Sequence, residues 1–146
     1  MTTFEWSKEI EFKRSEIRGQ VPSISGVYKI LQSEEYARYQ RKTRVLKIGM
    51  SHTSLQQELI NHFNNHTAAN RLARIRKRLG ITVTVQYSTV SSELAREVEN
   101  ELLQQFEDEH WELPFLNSTR GYKRNADKHL RTTTTEIRTT EEAEAN

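Results

Sequence analysis

The order of the strand-like and helical segments is the feature that most constrains the fold of this chain. Apolar runs bounded by turn-forming residues predict three strands, at 25–31, 44–50 and 81–90. Apolar residues at helical spacing predict three helices, which begin near Thr53, Ala68 and Ser91. Because these segments do not alternate regularly, they favour an α+β fold over a doubly wound α/β fold. We expect a small three-stranded, mostly antiparallel sheet flanked by helices.

The boundaries of these segments rest on local signals. Thr53 followed by Gln56 is a capping-box pattern, and Gly80 is suited to end the second helix. The polar segment 32–42 is long for a hairpin turn, and we interpret it as a connection with room for a helical turn. The predicted core comprises Val27, Ile30, Val45, Ile48, Leu55, Leu59, Val83, Val85, Val98 and Leu102.

Composition predicts one domain with a modest core, since 34% of the 146 residues are hydrophobic and 29% are charged. We interpret 1–20 as an N-terminal arm or helix, 21–131 as the folded domain and 132–146 as a disordered acidic tail. The chain lacks cysteine, which excludes disulfides and thiolate metal sites. No run of apolar residues has the length of a membrane helix, and a cytoplasmic protein is expected.

The cations are clustered, although the net charge is only +2. One basic block without acids contains Arg71, Arg74, Arg76, Lys77 and Arg78. A second block includes Lys123 and Arg124. Such blocks attract the phosphate backbone of nucleic acids, so we predict DNA contact there. The alternative is that the first block is an ordinary solvated helix face.

Two tripeptides carry the clearest pattern that points to chemistry. Gly26-Val27-Tyr28 and Lys47-Ile48-Gly49 lie on the first two predicted strands, and Glu99 and Asn117 follow on later segments. Taken singly, each has an ordinary structural explanation. A glycine suits a turn, a strand tyrosine packs, a lysine or glutamate is solvated, and an asparagine turns the chain.

Taken together and in this order, these residues resemble the GIY-YIG nuclease superfamily over roughly 21–122. The resemblance extends to the run from Ala95 to Glu99 and to Pro114-Phe115-Leu116-Asn117. It implies hydrolysis of a phosphodiester with one Mg²⁺ or Mn²⁺ ion held by Glu99. It also implies that Tyr28 orients or deprotonates water, while Gly26, Gly49 and Asn117 support the site.

The chain departs from the family pattern at two positions. Lys47 replaces a second tyrosine, and it is suited to contact phosphate or to lower the pKa of Tyr28. The family arginine on the helix after Lys47-Ile48-Gly49 is replaced by Glu58, or by Gln57 if the loop is one residue shorter. His52, His62 or an arginine from 71–78 is a candidate to supply the missing donor.

Three functions are therefore open, and whether the chain is an enzyme is one of the questions. The first is a GIY-YIG-type DNA endonuclease or DNA-processing protein, of the kind that phages and mobile elements carry. The second is a catalytically impaired module of the same fold that binds nucleic acid. The third is a protein-interaction or inhibitor module that uses the aromatic N-terminal segment and the acids between Glu93 and Glu112.

Overall fold

The computed structural model describes residues 5–64 and 67–117. These residues form four strands and four helices, named in chain order. The elements are β1 (Ile10–Glu11), α1 (Arg14–Gln20), β2 (Gly26–Ala37), β3 (Lys42–Ser51), α2 (Leu55–Asn61), α3 (Thr67–Arg78), β4 (Val83–Thr89) and α4 (Ser92–His110). Within the described ranges, no helix is both long and apolar enough to cross a membrane.

The strands form one antiparallel sheet in the order β1-β4-β2-β3. The predicted α+β class is confirmed, but the predicted number of three strands is wrong. The fourth strand, β1, pairs Ile10 with Val85 and Glu11 with Thr84. Two residues are too few to give the alternating pattern by which a strand is predicted, so β1 forms because tertiary packing holds it against β4.

The expected helical turn within 32–42 is also absent, because β2 and β3 form a longer hairpin. Only residues 38–41 connect the two strands. The pairing skips register between Leu31 and Tyr36. Tyr36 spans this irregularity by donating its hydroxyl to the carbonyl oxygen of Val45 at 2.5 Å. The polar residues that suggested a loop lie on the exposed end of the hairpin.

The helices begin within one residue of the predicted positions. The cap of α2 is Ser54 rather than Thr53, and its hydroxyl accepts the backbone N–H of Gln57 at 3.0 Å. Gly80 follows α3 with a φ of +66°, a conformation that glycine adopts without strain. Ser91 precedes α4 as its N-cap. A side-chain cap therefore marks the start of α2 and a glycine follows the end of α3, while the Ser91 side chain makes no capping hydrogen bond.

The core includes eight of the ten predicted residues, while Val45 and Leu102 are half-buried. It also takes in the N-terminal segment, since Phe12 and Ile17 are buried with Tyr28 and Leu59 in one cluster. A second cluster joins Ile48 of β3 to Leu103 and Phe106 of α4. The hairpin β2–β3 thus lies between helices that can supply side chains to a common site.

Candidate active site

The β2–β3 hairpin and helix α2 bring four of the singled-out side chains together. Tyr28 pairs with Gly49 across the hairpin, and Lys47 lies two residues before Gly49. Alternate strand residues share a face, so Lys47 and Tyr28 project from the same side of the sheet. Glu58 and His62, one helical turn apart on α2, contact this pair.

Tyr28 is enclosed, with 0% of its surface exposed. Its hydroxyl donates to Oε2 of Glu58 at 3.0 Å. Burial, followed by the charge and the hydrogen bond of Glu58, raises the pKa of Tyr28 well above its usual range. Tyr28 therefore remains protonated at neutral pH, and in this conformation it acts as a hydrogen-bond donor to Glu58.

His62 links Glu58 to Lys47. Its Nδ1 lies 2.9 Å from the backbone carbonyl oxygen of Glu58, which only accepts hydrogen bonds, so Nδ1 carries the proton. Its Nε2 is then an acceptor, and the Lys47 ammonium lies 2.9 Å from it. The His62 ring also meets the Tyr28 ring edge-on at 5.7 Å between centroids. His62 therefore orients both neighbouring side chains.

Lys47 is the cation that the structure places in this cluster. Burial lowers the pKa of Lys47, and the nearby charges of Glu58 and Glu99 oppose that shift. Lys47 and Glu58 carry opposite charges in this cluster, and Arg96 also acts on the neighbouring Glu99 carboxylate. Lys47 is thus a fixed positive charge that could face an anionic group.

Glu99 is half-buried on α4. Burial raises the pKa of Glu99 and Glu58 adds to this effect, whereas Arg96, Lys47 and His52 oppose it. A carboxylate held partly out of water beside another acid fits a hard divalent cation, and Mg²⁺ commonly takes one or two carboxylates together with waters and phosphate oxygens. In 5–64 and 67–117, no three His, Asp or Glu residues form a metal cage. An ion at Glu99 would therefore be held mainly by water and substrate oxygens.

Close packing explains the two glycines beside the site, Gly26 and Gly49. Hydrogen bonding explains Asn117. A Cβ on Gly49 would collide with the ring and hydroxyl of Tyr28, and one on Gly26 would collide with the carbonyl oxygen of Ser88. The buried Asn117 side chain receives the N–H of Ile48 at 2.8 Å and donates to its carbonyl oxygen at 2.9 Å. All three fix the backbone on which the cluster is built.

A supporting layer of side chains outside His62 was not predicted from the sequence. Phe12 stacks on Phe63 with 4.5 Å between ring centroids and meets His62 edge-on at 6.5 Å. The Arg14 guanidinium lies over Phe63 at 5.2 Å. Phe12 belongs to the aromatic N-terminal segment, and nothing in the sequence indicates which ring it would meet.

Most described residues of the first basic block are exposed, and one of them contacts another side chain. Arg74, Arg76 and Lys77 are exposed on α3. Arg71 is half-buried, and its guanidinium lies 5.5 Å from the centre of the Phe115 ring. The side chain of Arg78, the residues Lys123 and Arg124, and the tail 132–146 lie outside the described residues.

Comparisons of this chain with protein-family models, with curated proteins and with solved structures gave no match. Function is therefore inferred from the chemistry of the cluster and from the motif resemblance.

Proposed function

We propose that this chain is a GIY-YIG-type DNA endonuclease that hydrolyses phosphodiesters with one divalent cation. The observation that carries the proposal is the convergence of Glu58, Tyr28, His62 and Lys47 in one hydrogen-bonded cluster beside Glu99. Glu58 is a candidate base, Lys47 is a cation, and Glu99 is a half-buried carboxylate suited to a metal ion. Groups of these three kinds can together catalyse hydrolysis of a phosphodiester.

In this proposal the positive charge of the site lies at Lys47 on β3, and a negative charge lies at Glu58, where the family pattern has an arginine. Lys47 on β3 provides the positive charge for phosphate that an arginine at position 58 would otherwise provide. An ammonium acts as a point charge, without the forked geometry of a guanidinium. His62 holds the Lys47 ammonium in place through its Nε2 atom.

Glu58 takes the role of general base. Tyr28 is enclosed and its pKa is raised, so it is a poor group to remove a proton from water. Glu58 is half-buried rather than enclosed, and it has a second carboxylate oxygen besides the one that Tyr28 contacts. The Tyr28 hydroxyl positions the Glu58 carboxylate, which accepts the proton of the attacking water.

Glu99 would hold the divalent cation, whose chemistry is to polarise the phosphate and stabilise the leaving oxygen. The exposed Arg74, Arg76 and Lys77 on α3 would contact the DNA backbone. This division of roles separates binding, which depends on α3, from catalysis, which depends on the cluster.

The test is nicking of supercoiled plasmid by the full chain with Mg²⁺, with Mn²⁺ and with EDTA. We expect metal-dependent nicking that falls about 10²-fold or more in Lys47→Ala, because a preorganised charge is lost. The triple variant Arg74→Ala, Arg76→Ala, Lys77→Ala should instead weaken a salt-sensitive gel shift and raise the DNA concentration needed for nicking. Purified protein that never nicks DNA under these conditions would contradict the proposal.

The second candidate is a nucleic-acid-binding module without catalysis. It is favoured by one observation, which is that the Glu58 carboxylate stands where the family places a phosphate-binding cation. Under this alternative, the gel shift persists without nicking in any metal. A protein that neither nicks nor shifts DNA, yet forms a stable complex with another protein, would exclude both nucleic-acid functions.

A further inference from the structure

A pair of exposed aromatic residues stands apart from the candidate active site. Tyr39 in the β2–β3 turn is 79% exposed, and Trp111 at the end of α4 is 59% exposed. Their rings meet edge-on, with 5.8 Å between centroids. We call this pair the aromatic tip. Large exposed aromatic residues are uncommon on a monomer surface and mark sites where partners bind.

The backbone beneath the aromatic tip is held rigidly. Gln40 donates its backbone N–H to the carbonyl of His110 at 3.0 Å and its side-chain amide to the carbonyl of Glu109 at 3.0 Å. Nδ1 of the buried His110 ring lies 2.9 Å from the Gln40 carbonyl oxygen. Arg38 donates to the carbonyl of Leu113 at 2.8 Å. The backbone that carries both rings is therefore anchored, which lowers the entropy lost when they bind a partner.

The two non-glycine residues with positive φ among those that the structure describes lie in the aromatic tip or in the same turn. Arg41 has a φ of 68° and Trp111 a φ of 66°. Trp111 occupies the left-handed position at the end of a helix, where glycine is the usual residue because a side chain is disfavoured there. Folding alone gives no reason for an exposed tryptophan in this conformation.

Charge around the aromatic tip indicates what kind of partner fits. Four acids lie within six residues of the chain, and three cations flank the turn. The acids are Glu107, Asp108, Glu109 and Glu112, and the cations are Arg38, Arg41 and Lys42. Arg38 is paired with Glu112 at 3.2 Å and Arg41 with Glu109 at 3.5 Å. The formal surplus of this set is one negative charge, and the exposed face of α4 continues with Glu93 and Glu97 around Arg96. This field repels phosphate and attracts cations.

We propose that the aromatic tip docks a partner protein through a segment that bears lysine or arginine beside an apolar side chain. The cation would lie against the indole or phenol ring, where aromatic faces attract cations. The neighbouring acids would complement its charge, and the apolar neighbour would bury the exposed part of Trp111. This surface is independent of the DNA chemistry proposed for the cluster around Tyr28.

The test uses three short synthetic peptides that alternate leucine with lysine, glutamate or serine, each carrying a fluorophore. In a Trp6→Phe background, Trp111 is the single remaining tryptophan and reports binding directly. We expect saturable binding of the lysine peptide that is about tenfold or more tighter than that of the other two. Binding that ignores peptide charge would overturn the proposal.

Trp111→Gly is the decisive variant, because glycine suits the left-handed backbone and the folded state should be retained or stabilised. Fluorescence anisotropy should show that it loses the lysine peptide, while Leu94→Ala, which removes an exposed apolar residue of the same helix, should keep it. Binding that survives Trp111→Gly would overturn the proposal. Binding of a single-stranded oligonucleotide in place of the peptide would also overturn it, if that binding is lost in Trp111→Gly. A concentration-dependent dimer that is lost in Trp111→Gly would overturn it as well. Plasmid nicking should be unchanged in Trp111→Gly.

Discussion

Glu99→Gln is expected to lower Mg²⁺-dependent nicking by about 10²–10³-fold, the effect typical of losing one preorganised charged group in an active site. The substitution keeps the size of the side chain and removes the charge that would hold the cation. Because Glu99 is the protein carboxylate proposed to hold the ion, the Mg²⁺ concentration for half-maximal nicking should also rise.

Glu97→Gln is the matched control, since Glu97 lies on the same helix but is exposed. It removes the same charge from α4 and should leave nicking almost unchanged. A Glu99→Gln protein that nicks as fast as Glu97→Gln, with the same Mg²⁺ requirement, would remove Glu99 from the proposed site.

Glu99→Gln, which should lower the nicking rate, should raise the stability of the protein. Burial raises the pKa of Glu99 in the folded state, so folding favours the protonated form and the charged form destabilises the protein as pH rises through that pKa. Thermal melts without metal should therefore show Glu99→Gln to be more stable than the wild type at pH 8. The difference should shrink towards pH 4, where Glu99 takes up its proton. A residue whose charge harms stability and is needed for activity has a functional reason to be there.

Gly49→Ala is expected to lower the free energy of unfolding by about 3 kcal/mol, at the upper end of what overpacking usually costs. The new methyl group would collide with the enclosed Tyr28 ring, which cannot move away because residues pack around it. Gly49 also lies in a paired strand, so the backbone has little freedom to shift. Urea unfolding measures the change, and nicking should fall because Tyr28 and Glu58 lose their alignment.

Gly19→Ala is the matched control, with an expected effect of opposite sign. Gly19 lies inside α1, and a Cβ there would have open space around it. Alanine in place of glycine within a helix should stabilise the protein by about 0.5–1 kcal/mol. Equal unfolding free energies for Gly49→Ala and the wild type would show that the described packing of Tyr28 against β3 is wrong.

The parts of the fold that were predicted from the sequence are those with a local periodic signal. The helix α4 repeats apolar residues every four positions, and β4 alternates them, so the start of α4 and both ends of β4 were predicted within two residues. The strand β1 and the outer half of the hairpin lack such a signal. The pairing of β1 depends on Val85, which is distant in sequence, and the outer half of the hairpin depends on the bond from Tyr36 to Val45 across the register irregularity.

The candidate site shows the same division. Tyr28, Lys47 and His62 were singled out through the family resemblance, and the structure brings them together. The bond between Tyr28 and Glu58 spans 30 residues and was not predicted. From the sequence, Glu58 was only the loss of an arginine. A long-range contact of this kind depends on how α2 lies against the hairpin, which no local pattern specifies.

The central claim is that Glu58 acts as a base beside the cation Lys47, and the measurement that tests it most directly is the nicking rate of Glu58→Arg. Gln57→Arg, which places the same cation at an exposed neighbouring position, is the matched control. We expect Glu58→Arg to nick at least about 10²-fold more slowly than Gln57→Arg, because it removes the base and the acceptor of the Tyr28 hydroxyl. A Glu58→Arg protein that nicks faster than the wild type would contradict the account, since it would show that Glu58 impairs the site.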